Sequence, residues 1–211
     1  MAAAPEDEDS VFINCPFTAD YKQLFHSIIF TVLSCGFRPR TAMEAGDAGD
    51  IRLDKIARLI TESAYSIHDL SAVELDQTNQ LPRFNMPFEL GMVIGCKKIA
   101  RAHYARRPML IMERTAYTSQ KCLSDIAGQD LKAHAGSVSR TISIVRGWLL
   151  QQSNRKNIPG HVRIQNAFND FYALLPDLCD EAELEADDIS YSDFVTLAQQ
   201  WLVQRNVENA T

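Results

Sequence analysis

The residue of this sequence best placed for chemistry is a carboxylate within an apolar run. Glu89 is flanked by Phe88 and Leu90 and followed by Gly91. Acidic side chains are rarely buried among such neighbours unless they are paired or functional. Pro87 suits the first turn of a helix, because that turn has no partner for the N–H that proline lacks. A carboxylate there can simply complement the helix dipole, or it can attack an electrophile or stabilise a cation; the sequence favours neither role.

Two further polar segments follow apolar runs. The first, INCPF at 13–17, ends a short run rich in β-branched and aromatic residues. The second carries His68, Asp69 and Ser71. Side chains alternate across a strand, so His68 is expected on the opposite face from Asp69 and is interpreted as a core or surface histidine. Asp69 and Asn85, which lies one helical turn before Glu89, are acidic and amide groups that can hold or protonate a leaving group.

The elements that must position these residues alternate in type. Period and composition predict an α/β fold, a flavodoxin-like or Rossmann-like parallel sheet with helices on both faces. Such sheets bind ligands outside the carboxyl ends of their strands. We expect the first, third and fourth strands to be adjacent and parallel. The predicted strands are 11–15, 37–43, 65–70 and 108–112, and the predicted helices are 21–33, 51–64 and 86–96.

The second half of the chain is predicted to be helical. Stripes of apolar residues cover 140–152, 161–178 and a segment from about residue 190. An isolated helix of this length is marginal in water, so Phe194, Leu197, Trp201 and Leu202 need a partner surface. The expected organisation is a disordered acidic tail at 1–10, an α/β domain at 11–139 and a C-terminal helical extension at 140–211. This extension is expected to pack on the same domain or on a partner subunit.

Four other charged or polar residues are candidates for ligand contacts. Arg38 and Arg40 alternate on one face of a predicted strand, where they could hold a phosphate or be surface charges. Asp130 and His134 lie in a long polar stretch after the fourth strand, and long ordered loops are often functional.

The three segments together resemble the nucleoside 2-deoxyribosyltransferases and their structural relatives, the TIR-type NAD-cleaving domains. The resemblance covers about residues 11–113. INCPF is similar to their first strand end, with Cys15 replacing the usual glycine, and Asp69 matches an aspartate that touches the base. Glu89-Leu90-Gly91 matches their nucleophilic glutamate in its Glu-x-Gly context. The stretch RFNMP at 83–87 departs from the family pattern, so a related hydrolysis is expected rather than strict deoxyribosyl transfer.

The resemblance implies an N-glycosidase or (deoxy)ribosyl-transferring enzyme that cleaves the C1′–N bond of a nucleoside, a nucleotide or NAD. Breaking that bond builds positive charge on the sugar, which a carboxylate stabilises or captures as an ester. It also implies a homo-oligomer and often a bacterial anti-phage setting. The alternative is a catalytically silent TIR-like module for nucleotide sensing or protein interaction. The expected catalytic residues are Glu89, Asp69 and Asn85, and the expected substrate-binding residues are Asn14, Pro16, Phe17, Arg38, Ser71, Asp130 and His134.

Composition narrows the function classes. The net charge is −6 without a basic stretch, so binding to a nucleic acid polymer is not expected. Five widely spaced cysteines without a CxxC pair favour a reducing compartment and predict neither a metal site nor disulfides. The acidic start lacks a signal peptide's features and no run is long enough to span a membrane, so a cytoplasmic protein is expected. No cofactor is expected, and the sequence has no G-x-S-x-G, G-x-G-x-x-G or P-loop motif.

Overall fold

The fold is built on five parallel strands in the order β2-β1-β3-β4-β5. The computed structural model describes residues 7–44, 49–73, 83–99 and 102–208. The predicted parallel α/β class is confirmed, and β1, β3 and β4 are adjacent as expected. The strands are β1 (Asp7–Asn14), β2 (Arg38–Thr41), β3 (Ser63–Asp69), β4 (Met109–Glu113) and β5 (Lys132–Ala133).

Eight α-helices of the described ranges surround the sheet. The three long helices of the second half begin and end close to their predicted bounds, because their apolar stripes are regular. The helices are α1 (Lys22–Ser34), α2 (Arg52–Glu62), α3 (Asn85–Ile99), α4 (Ala102–Ala105), α5 (Ser119–Cys122), α6 (Val138–Gln152), α7 (His161–Glu181) and α8 (Tyr191–Glu208).

The first strand begins earlier than its apolar run indicates. Asp7 pairs with Ser63 of β3, and the Ser10 hydroxyl donates a hydrogen bond to the Asp7 carbonyl at 2.7 Å. Residues 7–10 therefore belong to the sheet, and the expectation of a disordered tail is wrong for them. Residues 1–6 lie outside the described ranges. A polar strand end at the edge of the core has no apolar periodicity by which a sequence could reveal it.

The two faces of the sheet are covered by different helices. Val11 and Ile13 of β1 are buried on one face with residues of α1 and α6, whereas Phe12 is buried on the other face with α2 and α3. Helix α1 follows β1 and α3 follows β3, so the helices that leave these two adjacent strands lie on opposite faces of the sheet. This arrangement places a topological switch point between the carboxyl ends of β1 and β3, where parallel α/β sheets open a crevice.

The C-terminal helices form an additional layer over α1. Phe194 of α8 is fully buried and stacks on the ring of His26 in α1, with 3.8 Å between ring centroids. Leu197, Trp201 and Leu202 are half-buried against the same core. The partner surface required by the α8 stripe is thus provided by the chain itself. Over the described ranges, no helix combines the length and apolar character needed to cross a bilayer.

Candidate functional site

The candidate residues meet at the carboxyl ends of β1 and β3, but on two faces of the sheet. Asn14 pairs in register with His68, and both lie on the face covered by α3. Cys15 and Asp69 follow them by one residue and therefore point to the face covered by α1. A ligand in the crevice would have one group of side chains on each side.

On the α1 face, Asp69 is the centre of a hydrogen-bond network. Its Oδ2 accepts from the Tyr21 hydroxyl at 2.6 Å and lies 3.0 Å from His134 Nε2, while its Oδ1 accepts from the Ser71 backbone N–H at 2.8 Å. Burial alone would raise the pKa of Asp69, but the hydrogen bonds from His134, Ser71 and Tyr21 lower it below its ordinary value. Asp69 is thus a buried, ionised carboxylate whose two oxygens are both occupied by protein donors.

The hydrogen bonds of His134 fix its tautomer. Its Nδ1 accepts from the Gly136 backbone N–H at 3.0 Å, so the proton of the neutral ring is on Nε2. Nε2 lies 3.0 Å from Asp69 Oδ2 and 2.9 Å from Ser71 Oγ. The turn that allows this contact uses left-handed backbone at Ala135 (φ 55°) and Gly136 (φ 69°).

Ser71, His134 and Asp69 are therefore not a hydrolytic triad despite their proximity. A triad histidine must accept the serine proton on an unprotonated nitrogen. In His134 that nitrogen is bound to Gly136 N–H, and the protonated nitrogen faces both Ser71 and Asp69. The network instead holds the end of β3, the start of α1 and the segment after β5 together.

On the α3 face, Asn14 is a bridge between elements. Its amide Nδ2 donates to the Met86 carbonyl at 2.9 Å and contacts His68 Nδ1 at 3.1 Å. An amide nitrogen has two hydrogens, and both are used here. Asn14 is almost fully buried, so it contacts the protein at the place where the sequence suggested a contact with substrate.

Glu89 differs from Asp69 in its surroundings. Its side chain is only 5% exposed, and within the part of the chain that the structure describes nothing donates a hydrogen bond to its carboxylate. Burial raises its pKa to about 7, against a smaller lowering by the charge of Arg52 at the start of α2. A carboxylate with this pKa exchanges protons near neutral pH, as a general acid, a general base or a nucleophile in a cleft often does.

Cys15 directly follows β1 and is buried on the α1 face. Burial raises the pKa of its thiol well above the ordinary value, and the negative charges of Asp69 and Glu89 raise it further. The two carboxylates therefore act on one point at the end of β1, although they belong to opposite faces. The thiol itself stays protonated and is not a nucleophile at neutral pH.

The remaining predicted residues divide into two groups. Pro16 is buried and Phe17 is partly exposed directly after β1, with Phe17 edge-on to Phe25 at 5.2 Å. Asn85 is exposed at the first position of α3. These three lie beside the crevice.

Two predicted ligand contacts lie elsewhere. Arg38 is at the amino end of β2, in register with Ser10, and forms an ion pair with Asp7 at the other edge of the sheet. Asp130 is exposed and pairs with Lys132 at 2.6 Å. Arg38 is therefore not placed to contact a ligand at the carboxyl ends of β1 and β3.

The sequence did not reveal the role of Tyr21, whereas the interpretation of His68 as a core or surface histidine is confirmed. Tyr21 is part of an apolar helical stripe in the sequence, and only the fold reveals that its hydroxyl reaches Asp69. His68 is a core residue as interpreted, but it also orients Asn14. No signal in one sequence marks such pairings across 48 and 54 residues.

In comparisons with known proteins, no family model, no curated protein and no solved structure matches this chain. Among the described residues, no group of three or more His, Cys, Asp or Glu side chains could hold a metal ion.

Proposed function

We propose that this chain cleaves the C1′–N bond of a nucleotide-type substrate, with Glu89 acting on C1′. The observation that carries the proposal is the environment of Glu89, a buried carboxylate without a hydrogen-bond donor among the described residues. Its pKa is about 7, and it lies at the switch-point crevice of a parallel sheet. The resemblance of residues 11–113 to N-glycosidic enzymes supports the same reaction.

In this reaction the carboxylate of Glu89 attacks C1′ while the C1′–N bond breaks and its electron pair leaves with the base. Water then hydrolyses the glycosyl ester and restores the carboxylate. The developing sugar cation is stabilised by the negative charge in a poorly hydrated site, where electrostatic interactions are strong.

The protonation states favour a leaving group that needs no acid. Asp69 is ionised and occupied by protein donors, and the Nε2 proton of His134 is directed at Asp69 and Ser71. Purine and pyrimidine bases leave readily only when they are protonated, whereas nicotinamide leaves NAD as a neutral molecule. We therefore propose NAD as the substrate, because its cleavage needs no residue that protonates the leaving base.

Ser71 is the member of the Asp69 network that can contact the substrate. Asp69 and His134 are fully buried, whereas Ser71 is half-buried. Ser71 Oγ lies 2.9 Å from His134 Nε2, and its half-buried hydroxyl is the group of this network that a ribose or amide oxygen can reach. Asp69 then acts by orienting His134 and Ser71.

The second candidate is a catalytically silent module that binds a nucleotide. The observation in its favour is that Asp69, Asn14 and His134 all use their polar atoms on protein partners. A site whose polar groups are satisfied internally can recognise a ligand by shape and by a few free donors alone.

One assay separates the two candidates. The protein is incubated with NAD and with a panel of nucleotides and nucleosides, and free base is measured by chromatography. In parallel, binding of a carbocyclic NAD analogue is measured by calorimetry, since this analogue has no ring oxygen to stabilise the cation. Release of nicotinamide supports the enzyme. Binding of the analogue without release of base from any compound supports the silent module.

Self-association is the remaining part of the proposal. Ile51, Phe84 and Phe88, at the starts of α2 and α3, are large apolar side chains that are each more than half exposed, as residues of an association surface often are. We expect sedimentation analysis to detect a species larger than the monomer. A protein that stays monomeric at all concentrations would refute the proposed self-association.

A further inference from the structure

Asn14 connects three elements at the entrance to the crevice. It is the last residue of β1, it contacts His68 of β3 at 3.1 Å, and it donates to the carbonyl of Met86 in the first turn of α3 at 2.9 Å. No other side chain of the described residues makes hydrogen bonds to both β3 and α3. The start of α3 is thus hydrogen-bonded to the sheet through this one amide group, beside the apolar packing of Met86 and Leu90 against Leu70 and Ile111.

The direction of these hydrogen bonds is determined. The Met86 carbonyl can only accept, so Asn14 presents its Nδ2 and not its side-chain oxygen. The second amide hydrogen then faces His68 Nδ1, which accepts it and places the ring proton on Nε2. That Nε2 is buried without a hydrogen-bond partner. The cost of an unsatisfied donor indicates that the ring is retained for its Nδ1, which orients the Asn14 amide.

The attached turn carries Glu89. Met86, Glu89 and Val93 are all buried, so they lie on the side of α3 that faces the sheet. Glu89 is three residues after Met86, which is nearly one helical turn. A shift of the first turn away from the sheet would move the Glu89 carboxylate and admit water to it.

We propose that Asn14 is a positioning residue for Glu89, and that His68 orients the Asn14 amide for this purpose. The effect of Asn14 on activity rests on the proposed function of Glu89. The hydrogen bonds from Asn14 to Met86 and His68 do not depend on that function. Asn14 was expected to contact the substrate; in this account it acts only through α3.

The pKa of Glu89 reports on how closely the first turn of α3 packs against the sheet. The titratable groups that act on Glu89 or lie on its side of the sheet are Arg52 from α2, the Cys15 thiol after β1, and His68, which burial keeps neutral. Of these, only Arg52 lowers the pKa of Glu89, and burial raises it to about 7. Loosening the first turn of α3 hydrates the carboxylate, so the pKa should fall towards the ordinary value of glutamate.

The experiment is a carboxyl-carbon NMR titration of the full chain containing ¹³C-labelled glutamate. The Glu89 resonance is identified by its loss in Glu89→Gln. In Asn14→Ala and Asn14→Ser, the titration midpoint should fall by about one unit or more from that of the wild-type protein. His68→Phe keeps the ring shape without the acceptor, and its midpoint should fall in the same direction. Ile13→Val, a neighbouring change on the other face of β1, should leave it unchanged.

Unchanged midpoints in the folded variants would overturn the proposal, and His68→Phe alone decides if the Asn14 variants do not fold. If the wild-type protein releases no base but the midpoints fall, the proposed function fails and the positioning role stands. If base is released, Asn14→Ala should lower kcat by about 10- to 100-fold with little change in KM, because Asn14 does not contact the substrate. A rise in KM with unchanged kcat would instead make Asn14 a binding residue.

Discussion

Two carboxylates close to the same crevice have opposite properties because their surroundings differ. Asp69 is fully buried, yet its pKa is lowered, since donors from Tyr21, Ser71 and His134 stabilise its charge. Glu89 is almost as buried, and its pKa rises because the described residues provide it with no donor. In many active sites, two carboxylates have different pKa values because they have different roles in the reaction. Asp69 fits an orienting role and Glu89 a reactive one.

The raised pKa of Glu89 predicts a pH-dependent stability. Between the ordinary value near 4.5 and about 7, the folded protein binds a proton at Glu89 that the unfolded chain does not. The contribution of Glu89 to the free energy of unfolding is therefore favourable below this pH window, and it is lost as the pH rises through the window. In Glu89→Gln this loss is absent, so the variant should gain on the order of 2 kcal/mol relative to the wild-type protein between pH 5 and pH 8. Urea unfolding of both proteins at the two pH values measures the difference. A constant difference would mean that Glu89 titrates normally.

The Asp69 network predicts a loss of stability in Asp69→Asn. An amide places N–H hydrogens against the donors from Tyr21, Ser71 or His134, so buried donors lose their acceptor. We expect a decrease of about 2–4 kcal/mol in the free energy of unfolding at pH 7. The matched control is Asp130→Asn, where an exposed ion pair with Lys132 should contribute less than about 1 kcal/mol. Equal effects of the two substitutions would refute the structural importance of the network. Since the pKa of Asp69 is lowered, its contribution should disappear only in acid.

At the scale of the elements, the sequence predicted only those strands and helices whose apolar residues recur at regular spacing. The strands β1, β3 and β4 and the long helices were predicted because buried strands and amphipathic helices have strong periodicities. Strand β5 has only the two residues Lys132 and Ala133, without an apolar run, so the sequence indicated a loop there. The polar start of β1 was missed for the same reason. Both are held by backbone pairing with a neighbouring strand, which depends on the fold and not on local composition.

The additional helical layer predicts a large effect of one aromatic residue. Phe194 is fully buried between α8 and α1 and stacks on His26. Phe194→Ala should lower the free energy of unfolding by about 3–5 kcal/mol, as is typical of a large cavity in a core. On the same helix, Val203 is 65% exposed, and Val203→Ala should change stability by no more than about 0.5 kcal/mol. A thermal melt of each variant checks this. If Phe194→Ala melted like Val203→Ala, α8 would not be part of the core.

At the scale of the whole molecule, the site is a product of chain topology. Helices α1 and α3 leave adjacent strands on opposite faces, which is the topology that opens a crevice in parallel sheets, and the charges of Asp69 and Glu89 both act on Cys15 there. The sequence predicted the sheet, its carboxyl edge and the candidates Glu89, Asp69 and His134. It did not predict that Asn14 would bind Met86, or that Arg38 would lie at the opposite edge. Those outcomes depend on strand register and on helix placement, which no local pattern encodes.

The central claim is that Glu89 acts on the bond that breaks, and the most direct test compares base release by the wild-type protein and Glu89→Gln. The substitution keeps the shape of the side chain and removes its charge. With NAD or the best substrate found, Glu89→Gln should lose on the order of 10³-fold or more in rate, with an unchanged circular dichroism spectrum. Glu62→Gln, at the other end of the sheet, should retain full activity. A folded Glu89→Gln protein that releases base within about tenfold of the wild-type rate would contradict the account.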